Sequence, residues 1–495
     1  MAGSKKVNKI FLGLPLAGAA FCLIAAWRGY PFLYIISFSL SCYFVLFLCV
    51  KYAVWFLLSQ RLKNTGRKHP MAFNLIVLGG MILIFMGHQT FDALAGGFSS
   101  EDKPEDKAAS LDKLRSLGYL GWIPAQNNLD KSGTTQFDAE ATCPGINIYC
   151  PCSGIETHLM DLSGKLLHTW KLDSYTRRYE KRPEWPVVQM DKNGDLLAIS
   201  VETMLVRVDW ESRLRWKTPL RCHHDFSVAN NGDIYVLDRE DDIIFRKGLP
   251  IPIMNDYITI LSSEGKIIRR ISVTEVIKDE IPSSAIGRIF RRMLNPRKIV
   301  YLIWCKIFQH HIFDKGSVFD VLHLNSVKLM PRNIEKICHK GDLLISVRNL
   351  DWVGILDQQG EKVLWSWGPG EIELQHHPTP LENGNILIFD NGYYRGYSRI
   401  VEVNPVTKSI VWEYQAQPKE AFYSATRGSC QRLPNGNTLI TQTNSGRVFE
   451  VTDRGDLVWE FYHPSVRKKA AKRKAIYRLM RITDPENYPS LRRFR

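Results

Sequence analysis

The sequence predicts an all-β chain, a six-bladed β-propeller preceded by an N-terminal bundle of about three transmembrane helices. Three observations carry that reading. A unit of four short strands recurs, with starts near residues 146, 187, 224, 323, 376 and 429. A tryptophan falls on the fourth strand at Trp170, Trp216, Trp365, Trp412 and Trp459. Long apolar runs fill much of the first hundred residues. Short alternating strands with hairpin turns, repeating every 40 to 50 residues or so, are the pattern of propeller blades. A β-sandwich would explain neither the period nor the tryptophans.

The last unit shows the pattern whole, "SCQRLPNGNTLITQTNSGRVFEVTDRGDLVWEF" over 429–461. It runs strand, Asn-Gly turn, apolar strand, strand ending near Asp, Gly turn, and a strand carrying Trp. The propeller is thus placed at 146–465 with its first unit incomplete at the start. Residues 96–145 read as a linker with a short helix in "AASLDKLRSLGYLG". Residues 275–320 read as a helical insertion, basic and aromatic, that either caps one face or lies on a membrane surface. Residues 466–495, with "VRKKAAKRKAIYRLMR", read as a basic tail.

Spans are expected at about 10–27, 32–58 and 71–91, since roughly 20 apolar residues cross the hydrocarbon core as helix. Lys5, Lys6 and Lys9 before the first span, and "RLKNTGRKH" between the second and third, belong in the cytoplasm. This expectation puts the chain in the cell inner membrane, multi-pass, with the propeller on the periplasmic or extracytoplasmic side. The net charge is +15, but no zinc-finger, helix-turn-helix or RNA-binding signature accompanies it, so nucleic acid is excluded as a partner. Of ten cysteines, Cys143 is expected to pair with Cys150 or Cys152 in an oxidising compartment. Cys222, Cys305, Cys338 and Cys430 read as buried thiols.

The chemistry lies in a repeated histidine. "HDFSVANNGDIYVLD" from His224 and "HHPTPLENGNILIFD" from His376 superpose with a constant offset of 152 (376 − 224, and 384 − 232 for the turn glycines). "HLNSVKLMP" adds His323 through the same His-x-x-Ser/Thr spacing, although its turn glycine, Gly341, comes late. The same slot holds Gly428 in the last unit and Pro186 in the second. Three consecutive units therefore aim an imidazole at the propeller axis. At the end of the second strands the register compares Arg239, Arg348, Asn391 and Thr443. Three histidines can hold zinc, but an arginine close by and no matching carboxylates favour an anion, which guanidinium grips with a planar fork. The adjacent His223, His377, His310 and His311 read as outward-facing or structural.

These residues resemble those of the bacterial arylsulfotransferases that work without a nucleotide sulfate donor. The resemblance covers roughly 140–465 and rests on "HHDF" (223–226), "HLNS" (323–326), the arginine on the strand after it, and above all "QHHPTPLENGNILIFDNG" (375–392). It implies a six-bladed propeller and ping-pong transfer of a sulfuryl group through a histidine. The donor would be an aryl sulfate and the acceptor a phenol or other hydroxyl. It implies His376 as nucleophile, with His224, His323, Asn325 and Arg348 as sulfate-binding and transition-state groups and Thr443 as a further substrate contact. No metal or organic cofactor is implied. The alternative is a membrane-tethered propeller that binds an anionic glycan, lipid or protein without chemistry.

Overall fold

The computed structural model describes residues 121–125, 128–152, 154–171, 185–246, 249–283 and 319–494. Among these residues no helix is long and apolar enough to cross a membrane. The apolar runs at 10–27, 32–58 and 71–91 lie outside them, as does the stretch 108–120 expected to be helical.

The described chain is all-β, with antiparallel sheets and only short helical turns. Six of its sheets have four or five strands each, joined as successive hairpins, in a propeller-like succession. The second to fifth are simple meanders, such as His376–Pro380, Ile386–Asp390, Arg399–Asn404 and Ser409–Tyr414. The second strand of a sheet is packed on both faces. Leu196–Ser200, Leu343–Val347, Ile386–Asp390 and Thr438–Gln442 are buried at every position, which explains their near-continuous apolar sequences. In the first two sheets the fourth strand is the exposed rim. At the first hairpins Gly232 and Gly384 sit at φ +89° and +91°, which glycine alone adopts without steric cost. The late Gly341 is explained by a longer hairpin, in which Ile334 and Cys338 bridge before Leu343–Val347 begins.

The recurring tryptophans have a physical reason. Trp216 donates its indole N–H to Ser263 O at 3.1 Å, Trp365 to Pro405 O at 2.9 Å, Trp412 to Asp453 O at 2.8 Å and Trp459 to Leu162 O at 2.8 Å. Each bond runs from the fourth strand of one sheet to a turn of the next, and the last runs from the sixth sheet to the first. Two junctions use other donors. His168 reaches Trp210 O at 2.9 Å, leaving Trp170 buried without a partner for its N–H. Arg269 reaches Gln359 O at 2.9 Å and Gln358 O at 2.7 Å. The six sheets are thus laced in a cycle.

The stretch read as a basic tail contributes to the core. Ile476–Ile482 pairs with Ile146–Pro151 and becomes the first strand of the first sheet. Its basic residues face inward against acids. Arg481 is fully buried with Glu450, and Arg478 meets Asp225 at 2.7 Å. The linker too is drawn in, since Gly133–Phe137 pairs outside Leu457–Tyr462 as a fifth strand. Of the 275–320 insertion, Val273–Val276 leads in as one helical turn capped by Ser272, and residues 284–318 lie outside the described part.

No disulfide joins Cys143 to Cys150 or Cys152: all three are buried free thiols. Cys143 packs with Trp459 and Leu433, whereas Cys152 packs with Val187 and Cys222 in a separate cluster. Cys222, Cys338 and Cys430 are buried thiols, as expected; Cys305 lies outside the described residues.

Candidate active site

Each histidine-bearing strand breaks its regular register at the end where its histidine stands. The pairing slips between Cys222 and Phe226, between Leu324 and Ser326, and between His376 and Thr379. His224, His323 and His377 have φ of 54°, 52° and 50°. A non-glycine residue held there costs roughly 1–3 kcal/mol and persists where its surroundings over-determine it. A bulge bends the strand and re-aims a side chain. Here the result is convergence, with the rings of His224 and His323 4.8 Å apart, edge to face.

His376 opens its strand and is 5 % exposed. Its Nδ1 lies 2.7 Å from Asn391 Oδ1 and 3.1 Å from Leu374 O. The Asn391 nitrogen donates to Ser424 O at 2.6 Å and Arg427 O at 2.7 Å. An amide nitrogen only donates, so these two carbonyls fix the Asn391 amide with its oxygen towards the ring. Both neighbours of Nδ1 are therefore acceptors, and Nδ1 must carry the hydrogen. The lone pair is left on Nε2. Burial, then the Arg348 charge and His323, hold the ring well below the usual histidine range, against the opposing pull of Asn391.

His323 donates from Nδ1 to Asp320 Oδ2 at 2.6 Å. Burial opposes ionisation of Asp320, yet His323, Arg239 and Arg348 together hold its carboxyl below the usual range. Burial lowers His323 as well, and Asp320 works against that. His224 is pushed well below its ordinary value by burial, then by His323, His223 and Arg239.

The two arginines of the predicted register differ. Arg239 is bound to Glu202 through Nε at 2.8 Å, so its charge is already answered. Arg348 begins the turn Arg348–Leu350 directly after Leu343–Val347. Among the described residues its guanidinium has no ion-pair partner, and its Nε is buried with no hydrogen bond. Burial lowers its pKa, while Asp320, Tyr393 and Tyr394 favour the charged form. A cation of this kind is complete only with an anion beside it.

Asn325 donates to Gln375 O at 2.8 Å, bracing the residue before His376, and its Oδ1 is buried without a partner. Gln375 is itself pinned by Ser346 Oγ at 3.0 Å and Trp352 O at 2.9 Å. Thr443 is buried, and its hydroxyl goes to Tyr477 O at 3.1 Å on the closing strand rather than to the histidines. His223, expected to face outward or be structural, is 1 % exposed. Its Nδ1 is 2.9 Å from His224 Nδ1 and its Nε2 3.3 Å from Asp256 Oδ1. Strand alternation predicts that neighbours point apart, and the bulge defeats it. His377 is also buried, with Nδ1 3.1 Å from Cys430 O in the next sheet. His310 and His311 lie outside the described residues. Asp320 and His223 carried no sequence signal beyond proximity to a marked histidine. Asn391 did, by sharing a register slot with Arg348. Among the described residues no group of His, Cys, Asp and Glu is arranged to hold a metal ion.

Residues 188–464 match the model of the family described as arylsulfotransferase (ASST). The chain belongs to the arylsulfotransferase family. That match spans His224, His323, Arg348, His376, Asn391 and Thr443 together, and it supports arylsulfotransferase-like activity in general, with aryl sulfate donors and phenolic acceptors. No curated protein sequence matches the chain. Similar solved structures include a protein of unknown function from Bacteroides caccae, at 12% identity and TM-score 0.43, covering 68% of this chain and 98% of the other. A streptogramin B lyase is 12% identical at TM-score 0.38, covering 70% and 88%. AztD from Citrobacter koseri is 8% identical at TM-score 0.36, covering 68% and 97%.

Proposed function

We propose that this arylsulfotransferase-family protein moves a sulfuryl group from an aryl sulfate to a phenolic or other hydroxyl acceptor by a ping-pong route through sulfated His376. The catalytic part is a six-bladed β-propeller, held by N-terminal spans in the inner membrane with the propeller on the extracytoplasmic side. The observation that carries the reading is an imidazole with its lone pair fixed on Nε2 in the field of a half-buried guanidinium that, among the described residues, has no ion-pair partner.

His376 Nε2 attacks sulfur, the bond from sulfur to the aryl oxygen breaks, and its electron pair leaves on that oxygen. Sulfuryl transfer, like phosphoryl transfer, needs an in-line nucleophile and stabilised equatorial oxygens. Arg348 would grip those oxygens, and His224 and His323 border them. The sulfated ring keeps its Nδ1–H and becomes cationic, which the Asn391 oxygen stabilises. A hydroxyl acceptor then attacks sulfur and restores the free ring.

The test is a single-turnover incubation with p-nitrophenyl sulfate and no acceptor, followed by intact mass at neutral pH. A stoichiometric burst of nitrophenol with one added sulfuryl group supports the mechanism. No burst, with sulfate-analogue binding that needs Arg348 but not His376, supports the non-catalytic binder instead. Asn391→Leu is expected to slow the burst by about 10²-fold or more, because the tautomer is no longer held, while the protein keeps its fold by circular dichroism. Alkaline carbonate washing of membranes checks the anchor: the full chain is expected to stay in the pellet, and release to the supernatant would remove the membrane part of the proposal.

A further inference from the structure

Three histidines share the pocket, and what stands behind each differs. His376 rests on a neutral amide, Asn391. His224 rests on another imidazole, His223. His323 rests on a carboxylate, Asp320, at 2.6 Å. A neutral amide oxygen holds a tautomer with modest preference for charge. A carboxylate favours the imidazolium outright and leaves Nε2 as the nitrogen that gains and loses the proton.

We infer that Asp320 is a positioning residue that makes His323 the general acid for the departing phenolate, a role that rests on the sulfuryl-transfer reading above. As the bond from sulfur to the aryl oxygen breaks, the proton on His323 Nε2 passes to that oxygen and the neutral phenol leaves. His323 stays hydrogen-bonded to Asp320 through Nδ1–H. When the acceptor hydroxyl attacks the sulfated His376, its proton returns to His323 Nε2 and the cycle closes without any other acid.

The surroundings fit this division of labour. Asp320 is 4 % exposed, with Oδ1 buried and unpartnered. The groups facing it are His323, Arg239 and Arg348, and those facing His323 are Asp320, His224, Arg348 and Arg239. Burial and the two arginines work against protonation of His323, and Asp320 works for it. The sulfate of the incoming donor adds negative charge to the same pocket, so His323 takes up its proton as the donor binds. Asp320 also accepts, through its backbone carbonyl, the Asn349 side-chain amide at 2.7 Å. Asn349 follows Arg348 in the turn, so one residue ties the acid to the anion clamp.

Leaving-group dependence separates this role from a merely structural one. p-Nitrophenolate is a stable anion that departs without protonation, whereas phenolate, whose conjugate acid titrates near 10 as tyrosine does, needs the proton. Single-turnover phenol release is measured for wild type, Asp320→Asn and Asp320→Ser with both p-nitrophenyl sulfate and phenyl sulfate. Two variants are used so that misfolding of one leaves the other to report. The variants are expected to lose about 10²-fold or more with phenyl sulfate, in the range of general acid catalysis, and under about 10-fold with p-nitrophenyl sulfate. Equal losses on both donors, in a wild type active on both, would overturn the role of Asp320 alone. A wild type that releases neither phenol would overturn the sulfuryl-transfer reading, and this inference with it.

Discussion

Replacing His376 with asparagine is expected to abolish the nitrophenol burst and the added sulfuryl mass together, a loss on the order of 10³-fold or more in rate. Asparagine offers a neutral donor of similar reach but no nitrogen lone pair, so it can hold a sulfate without forming a bond to it. The protein should still fold, because Asn391 retains its two backbone carbonyls and the strand retains its pairing with Ile386–Asp390. Intact mass, stopped-flow absorbance and circular dichroism on one preparation check all three statements. An undiminished burst in a folded His376→Asn protein would leave the histidine route untenable.

Arg348→Ala should cost about 10³-fold in kcat/KM for the donor, in the range seen when a cation that stabilises transferring oxygens is lost. Arg348→Lys should recover only part of it, because an ammonium cannot present the planar fork. Arg348→Ala also carries a pH signature with a definite sign. His376 acts unprotonated, and burial and Arg348 hold its pKa well below 6.5. In the wild type the fall of kcat/KM on acidification therefore comes well below pH 6.5. Without the Arg348 charge the second cause of depression is gone, and the acid limb should move up towards 6.5 on the residual activity. A limb that stays in place would mean that Arg348 does not act on the nucleophile.

Much of this site was legible because repetition amplified it. One histidine on a strand carries little information, but the spacing shared by His224 and His376, echoed at His323, singled out a register, and comparing the ends of the second strands reached Arg348 and Asn391. The roles beyond that were hidden by geometry that sequence alternation does not encode. His223 reads from sequence as outward-facing or structural, and the register shift in its strand brings it against His224. Asp320 precedes His323 at the exit of a long insertion, where no repeat marks it. The closing strand reads as a tail because Arg478 and Arg481 follow a run of basic residues, which ordinarily signals solvent. Here Glu450 and Asp225 wait for them inside. The expected disulfide fails for a related reason, since Cys143 and Cys152, close in sequence, lie in different packing clusters.

The closing strand sets the order in which the chain can become an enzyme. Ile146–Pro151 lacks its partner until Ile476–Ile482 arrives, and Arg481 must travel 334 positions along the chain to reach Asn147. Contacts of such separation form late, after the loop between them has been closed. During synthesis the first sheet therefore presents an unpaired edge while residues 152–475 are added. The joint that supplies Arg478 to Asp225, beside His224, is also the last to be made. A chain made only as far as residue 475 carries His224, His323 and His376 but not the strand that completes the first sheet, so the pocket is finished only when the last stretch has folded.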